Sequence, residues 1–338
     1  MIESKYPLIS VVLPTYNVAS YLQQCLESVK AQTYSNIEVI IIIDGATDGS
    51  FEIAKEFCKT DSRFFVYWQD NAGSGPARNN GLAHAKGEFV MFVDPDDWLE
   101  PDLLEKLYFA QQEDDYDLVA TKRTRVICNN DGKPVKVIPM HYEEESIVGI
   151  SNVRNAYMRM LRENVVGAPT QKLYKLSLIK QFNIVFPDFK RSQDVVFNYR
   201  YYNYVKSIRL ISYSGYNYRV LLRDSSGRSN ADYYKIILAV YNDYKEMYKS
   251  WGMDFPEQEV CDFLFSIRIY SNFQRCASQK WDIKSIAEEP TIHHIISTAK
   301  PYAFYMTITK WLILMRQYKM LTVFLHLIVM VKQRGLKK

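Results

Sequence analysis

The stretch Gly87-Glu88-Phe89-Val90-Met91-Phe92-Val93-Asp94-Pro95-Asp96-Asp97 constrains the fold more than any other. Phe89 to Val93 is an unbroken apolar run, which suits a strand covered on both faces. Pro95 cannot continue such a strand, so three carboxylates within four residues are placed at its C-terminal end. In open α/β sheets that end is where ligands bind. Clustered like charges need solvent or a cation, and hard oxygen donors suit Mg2+ or Mn2+. For an isolated acidic triplet, a solvated turn and helix cap is the plainer reading; here the rest of the chain decides against it.

The preceding residues repeat the pattern. Leu8 to Leu13 reads as a strand stopped by Pro14-Thr15-Tyr16-Asn17. Tyr21, Leu22, Cys25, Leu26 and Val29 recur at helical spacing. Glu38 to Ile43 is a second apolar strand, ending at Asp44-Gly45-Ala46-Thr47-Asp48-Gly49-Ser50, where Asp48 or Ser50 can cap the next helix. Phe64 to Trp68 is a third strand, followed by the glycine-rich run Asn71 to Gly81. This alternation predicts an α/β fold with a mostly parallel sheet flanked by helices. Carboxylates at two strand ends, Asp44 and Asp94/Asp96, together with Arg78, can hold a nucleotide diphosphate. One carboxylate takes the base N–H, another the ribose hydroxyls, a cation bridges the phosphates, and Arg78 adds a positive fork. The glycine-rich run matches neither GxGxxG nor GxxxxGK[ST], so neither a dinucleotide site nor a P-loop is supported.

The five cysteines form no CxxC pair and no Cys/His cluster, which argues for a reducing compartment and against structural zinc. No apolar export segment precedes the first strand, so a cytoplasmic location is expected. Net charge is +4 but uneven: residues 1–150 hold 13 Lys/Arg and 24 Asp/Glu, the remainder 29 and 14. An acidic first half fits a cation-dependent site. A basic second half fits an anionic partner, or is an ordinary basic surface.

Ser10 to Asn17, Gln32-Thr33-Tyr34, Asp44 to Ser50, Asn71-x-Gly73 with Ala77-Arg78-Asn79-x-Gly81, and Gly87 to Asp97 stand in one order over about the first 110 residues. Together they resemble family 2 glycosyltransferases with the GT-A fold, of the bacterial surface-polysaccharide type. The resemblance implies a metal-dependent, inverting sugar transferase that uses a nucleotide-activated donor, usually a UDP-sugar, with Mn2+ or Mg2+. It implies that Pro14 and Tyr16 border the base pocket, Asp44 accepts the uracil N–H and Arg78 lies along the donor. Asp94 would contact ribose or metal, and Asp96 would be the main metal ligand. The chain departs from the family where Ile43 and Ala46 replace an acidic or amide residue and a serine.

Further on, Tyr116 to Thr121 reads as a strand and Asn129-Asn130-Asp131-Gly132 as a hairpin turn. Arg191-Ser192-Gln193-Asp194-Val195-Val196-Phe197 resembles the family segment in which an acidic pair precedes x-x-Phe, with Gln193 in place of the first acid. The match makes Asp194 the general base that takes the acceptor hydroxyl proton; as a plain structural residue it would cap the helix Val195 to Tyr202. Arg219, Arg223 and Arg228 are candidates for phosphate contacts, or ordinary surface arginines. The domains read as 1–225, a GT-A unit (1–110 nucleotide-sugar half, 111–225 acceptor half), and 226–338, a helical C-terminal extension. Within the latter, Lys310 to Val331 is too interrupted to span a bilayer and reads as an interfacial amphipathic helix. Helix packing on protein is the plainer alternative. The expected partners are a UDP-sugar and a saccharide or lipid-linked saccharide acceptor, with peripheral contact at the inner face of the plasma membrane and no nucleic acid. Ile43, Ala46 and Gln193 leave a non-catalytic, donor-binding scaffold as the alternative. A nucleotidyltransferase is disfavoured, because Leu13 to Asn17 stands where its glycine-rich triphosphate loop would be.

Overall fold

The computed structural model describes residues 6–129, 131–140, 142–163, 165–188, 193–221 and 233–335. The chain divides into two compact units, Met1–Asp224 and Ser225–Lys338. The first unit opens with the expected alternation: β1 (Ile9–Thr15), α1 (Ala19–Lys30), β2 (Ile37–Asp44), α2 (Ser50–Thr60), β3 (Phe64–Gln69), α3 (Ser74–His84) and β4 (Phe89–Phe92). β1, β2 and β4 are buried along their whole length. Their apolar runs are therefore those of strands covered on both faces. The chain continues through β5 (Trp98–Leu99), α4 (Leu103–Gln112), β6 (Leu118–Cys128), β7 (Pro134–Pro139), β8 (Glu145–Val148) and α5 (Ile150–Arg162). β9 (Lys172–Lys175), α6 (Leu176–Gln181), α7 (Gln193–Tyr202) and β10 (Ser207–Leu221) complete the unit.

These strands form one ten-stranded sheet in the order β3-β2-β1-β4-β9-β6-β10-β5, with β7 added on β6 and β8 on β10. β3, β2, β1 and β4 are mutually parallel. The expectation of a parallel sheet describes this half. Beyond β4 the sheet is mixed: β9 is antiparallel to β4 and β6, while β6 and β10 run parallel. β6 and β7, the strands on either side of the hairpin read at residues 129–132, are antiparallel; Asn130 lies outside the described residues. β2 and β3 lie on one side of β1 and β4 on the other. The strand order therefore reverses at β1 and β4, and the crevice beyond their C-terminal ends is the topological switch point of the sheet.

Pro14 does not stop the first strand, as the sequence suggested. β1 runs through it to Thr15, with Pro14 opposite Ile42 of β2. Val12 O accepts from Val93 N, so Val12 points its backbone groups toward the β4 side. Pro14, two residues on, points the same way, and β4 has already ended there. Its missing N–H removes no ladder bond. At the other end of β4, a Cβ on Gly87 would lie 2.7 Å from Leu8 O and Ser10 N. Only glycine fits that turn, and the Glu38 carboxylate fixes it by accepting from Ser10 Oγ, Lys86 N and Gly87 N.

The second unit is helical: α8 (Tyr233–Ser250), α9 (Glu257–Phe263), a π-helical turn (Leu264–Ile269), α10 (Tyr270–Gln279), α11 (Ile283–Ala287), α12 (Pro290–Thr298), α13 (Phe304–Leu314) and α14 (Tyr318–Gly335). The stretch read as one helix from Lys310 is two. They break at Met315 to Gln317, where Arg316 takes a left-handed conformation, φ 54°. No described helix is long and apolar enough to cross a membrane.

Candidate active site

The loop after β4 carries the three carboxylates, and the fold gives each a different environment. Asp97 is buried. It accepts from Tyr216 Oη at 2.8 Å and from Arg219 N at 2.8 Å. Burial and then the nearby Asp96 and Asp94 charges push its carboxyl well above the usual range. Tyr216 Oη also accepts from Asp94 N at 3.1 Å, so a single phenol from β10 holds both ends of the loop.

Arg219 is buried between the rings of Tyr21 and Trp98, each 4.7 Å from its guanidinium. It donates to Asp96 O, Gly132 O and Gln24 Oε1. The sequence offered Arg219 as a phosphate contact or a surface arginine. The structure instead makes it a clamp on the carboxylate loop. Arg223 and Arg228 lie outside the described residues.

Asp94 and Asp96 are half-buried. Asp94 Oδ1 accepts from Arg78 Nη2 at 2.7 Å, and Arg78 lies over the Phe186 ring at 5.4 Å. Arg78 and Asp94, two of the residues that sequence reasoning assigned to the donor site, are therefore an ion pair. Burial of Arg78 in the second turn of α3 fixes its direction, and its Nε is buried without a partner.

Asp44, at the end of β2, is 2 % exposed. Its carboxylate accepts from Gln69 Nε2, Ala72 N and Gly73 N, each at 2.8 Å, and so folds the glycine-rich run back over β2. A Cβ on Gly45 would meet Asn71 N at 2.8 Å, which is why the turn after Asp44 is glycine. Pro14, in the last residues of β1, is buried, and Tyr16, just past the strand's end, is exposed. Asn17 Oδ1 accepts from Thr47 N, joining the loops that follow β1 and β2. Asp48 accepts from Ala19 N, Ser50 N and Ser50 Oγ, so it serves α1 and α2 together.

Asp194 lies in the first turn of α7, with Oδ1 accepting from Val195 N at 2.9 Å. Two ties draw its segment onto α3. Gln193 Nε2 donates to Ser74 Oγ, and Gly75 leaves the room that Gln193 occupies. Asn79 exchanges two hydrogen bonds with the Phe186 backbone, both 2.8 Å. α3 therefore holds Arg78 against Asp94 and anchors the start of the Asp194 helix. Arg191 and Ser192 lie outside the described residues. Lys172, which sequence reasoning did not single out, is fully buried and donates to Ala168 O. Burial, then the Arg123 charge, lowers its ammonium to about 7, with Asp194 acting in the opposite sense.

Hard oxygen donors at Asp94 and Asp96 fit a divalent cation of the Mg2+ type. Among the described residues no group of three or more His, Cys, Asp or Glu side chains is arranged to hold a metal. One or two carboxylates with the remaining sites left to a ligand's oxygens is the arrangement expected where the metal arrives with a phosphate.

The sequence profile of glycosyl transferase family 2 matches residues 10–170, the span containing every one of these loops except that of Asp194. EpsH of Bacillus subtilis, named as a glycosyltransferase, is 34% identical over 246 residues, covering 70% of this chain and 67% of EpsH. Glycosyltransferase GlyG of Streptococcus pneumoniae is 35% identical over 215 residues, covering 63% of this chain and 70% of GlyG. The crystal structure of S. aureus TarS 1–349 in complex with UDP-GlcNAc superposes with a TM-score of 0.59 at 23% identity, over 86% of this chain and 79% of that one. A GT-A sheet with its switch-point crevice, the carboxylate loop at its mouth and relatives of this extent together place the chain in glycosyl transferase family 2, and it is a glycosyltransferase.

Proposed function

We propose that the first unit, through about residue 225, transfers a sugar from a UDP-sugar to a saccharide hydroxyl with inversion, in the assembly of a bacterial polysaccharide. The observation that carries this reading is the convergence on the β1/β4 crevice of Asp94, Asp96 and Arg78, with the Asp194 segment tied to the same helix as Arg78. A UDP-sugar is favoured because TarS, which shares the fold, is described with UDP-GlcNAc.

In this reading Pro14, Tyr16 and Asp44 border the base. Asp44 Oδ2 carries one hydrogen bond, from Gly73 N, and has a lone pair left for the uracil N–H. Asp94 meets the ribose or the cation and Asp96 is the main protein ligand of Mn2+ or Mg2+. The cation, when bound, draws charge off the departing diphosphate as a Lewis acid. Arg78, held by Asp94, presents its remaining N–H groups along the donor. Asp194 takes the proton from the acceptor hydroxyl as that oxygen attacks the anomeric carbon opposite the leaving group. Attack from that face inverts the centre, so a UDP-α-sugar gives a β-linked product. Positioning and fixed charge supply most of the rate, since little covalent chemistry is asked of the protein. The basic second half suits a lipid-linked acceptor at the inner face of the plasma membrane.

The test is UDP release from a panel of UDP-sugars, with and without Mn2+, by the wild type, Asp96→Ala and Asp194→Asn. Mn2+-dependent release from one donor, lost in Asp96→Ala, is expected. Asp194→Asn should still bind UDP but transfer no sugar. Turnover surviving in Asp194→Asn removes that residue as the base. Absence of UDP binding in the wild type removes the UDP-sugar reading.

A further inference from the structure

In the second unit the exposed apolar side chains gather on α13 and α14. On α13, Phe304, Trp311 and Met315 recur at intervals of seven and four, so they share one face of the helix and its C-terminal turn. Phe304 is 80% and Trp311 55% exposed. On α14, Met320, Val323, Leu327, Met330 and Val331 form a second stripe, with Val323 61% and Leu327 51% exposed. The opposite side of α14 is already used: Leu321 and Leu325 are fully buried, and the helix packs on α10, α11 and α13.

The two polar groups within this run do not interrupt it. Thr322 Oγ1 donates to Tyr318 O at 3.0 Å, and a His326 ring nitrogen lies 2.9 Å from Thr322 O, so both are satisfied by their own helix. A helix that is apolar all round needs apolar cover on both sides, and one side of α14 has none from the described residues of this unit.

Charge identifies the cover. Residues 290–338 contain no Asp or Glu and eight Lys or Arg. Arg316 and Lys319, exposed at the turn between the two helices, stand beside both stripes. A second copy of this chain would bring one acid-free segment against another, and like charge opposes that pairing. An anionic bilayer supplies both complements: acyl chains for the stripes and headgroups for the cations. Trp311 and Tyr302, both exposed, have the amphipathic rings that settle at the headgroup level. Neither helix is long and apolar enough to span, so the contact is interfacial.

We propose that the outer faces of α13 and α14 form a docking surface for an anionic lipid bilayer, with Phe304, Trp311, Val323 and Leu327 entering the acyl boundary and Arg316 and Lys319 at the headgroups. The surface owes nothing to the assignment of the sugar site, and its test does not read sugar transfer.

The experiment is vesicle co-sedimentation of the full chain, using phosphatidylcholine alone and phosphatidylcholine with about 30 mol% phosphatidylglycerol. Binding to the anionic vesicles is expected, several-fold weaker at about 0.5 M salt, where screening is short-ranged. Phe304→Ser/Trp311→Ser and Val323→Ser/Leu327→Ser should each weaken it by about tenfold or more, in line with the apolar area removed, with unchanged circular dichroism. Arg316→Gln/Lys319→Gln should lose the preference for anionic vesicles. A blue shift in emission on vesicle addition, missing in Trp311→Phe, locates the contact. The proposal fails if the chain binds neither vesicle, or binds equally well with both stripes substituted. It also fails if the chain alone is a dimer in sedimentation that Val323→Ser/Leu327→Ser splits, since the stripes then cover a second copy.

Discussion

Tyr216 carries the geometry of the carboxylate loop through one oxygen, accepting from Asp94 N and donating to Asp97 Oδ2. Tyr216→Phe leaves the Asp94 N–H and the buried Asp97 carboxylate each short of a partner, a loss of about 1–3 kcal/mol. The variant should show a lower melting temperature and a raised requirement for Mn2+ in UDP release, because the loop bearing Asp94 and Asp96 loosens. Unchanged stability would mean that Arg219 alone holds the loop. Lys172 gives a pH signature. Its ammonium titrates at about 7 in the folded chain against an ordinary 10.5. Between those values the unfolded chain binds the proton that the folded chain has lost, so this group's contribution to stability rises with pH across the window and is smallest below it. Lys172→Met has no such proton. The stability of the wild type relative to the variant should therefore climb from about pH 7 toward pH 10, by at most about 1.4 kcal/mol per pH unit. A flat difference in urea unfolding across that range would show that Lys172 stays charged.

At the scale of elements, α3 organises the site. Its first turn meets Gln193 through Ser74, its second turn carries Arg78, and Asn79 holds the backbone at Phe186. Gly81 lets it lie against β1, since a Cβ there would come within 2.3 Å of Val12 Cγ1. The tie between α3 and α7 predicts a kinetic effect away from the donor. Gln193→Ala should lower kcat for transfer by about tenfold or more while leaving UDP affinity within about twofold, because it frees the start of the Asp194 helix. Gln193→Glu reverses this bond, its carboxylate accepting from the Ser74 hydroxyl, and should recover part of the loss. Equal losses in UDP binding and kcat would show instead that Gln193 shapes the donor loop. The sequence marked this position as a departure from the family pattern; the partner at Ser74, 119 residues away, left no trace in it.

At the scale of the molecule the chain is two compact units with different chemistry: a mixed sheet ending in carboxylates, and a helical unit whose last segment lacks acids. A ligand stabilises only the part of a protein that it binds. UDP with Mn2+ should therefore raise the midpoint of local unfolding for amides of β1, β4 and α3, and leave those of α8 to α14 unchanged, in hydrogen exchange followed by mass spectrometry. Neither Mn2+ alone nor UDP alone should match the pair, since the protein offers the cation too few ligands without the diphosphate. Full protection by Mn2+ alone would contradict that division of ligands.

The alternation of apolar strands with helices, the carboxylate loop after β4 and the family were legible in the sequence because they depend on local order: runs of apolar residues, prolines, glycines and short motifs along 110 residues. The pairing of Arg78 with Asp94 was half legible, since both residues were singled out but not their contact. The sequence misplaced the end of β1 because a proline in a strand is forbidden only where its N–H is needed, and only the sheet order shows that β4 has ended beside Pro14. It gave Asp94 and Asp96 their roles by resemblance but held nothing that sets Asp97 apart from them. β10, more than a hundred residues later, makes that difference: it brings Tyr216 and Arg219 onto the buried Asp97 and leaves the other two half-exposed. Local composition sets which elements form; burial and partners from distant strands decide which charges are enclosed and which stay within reach of solvent.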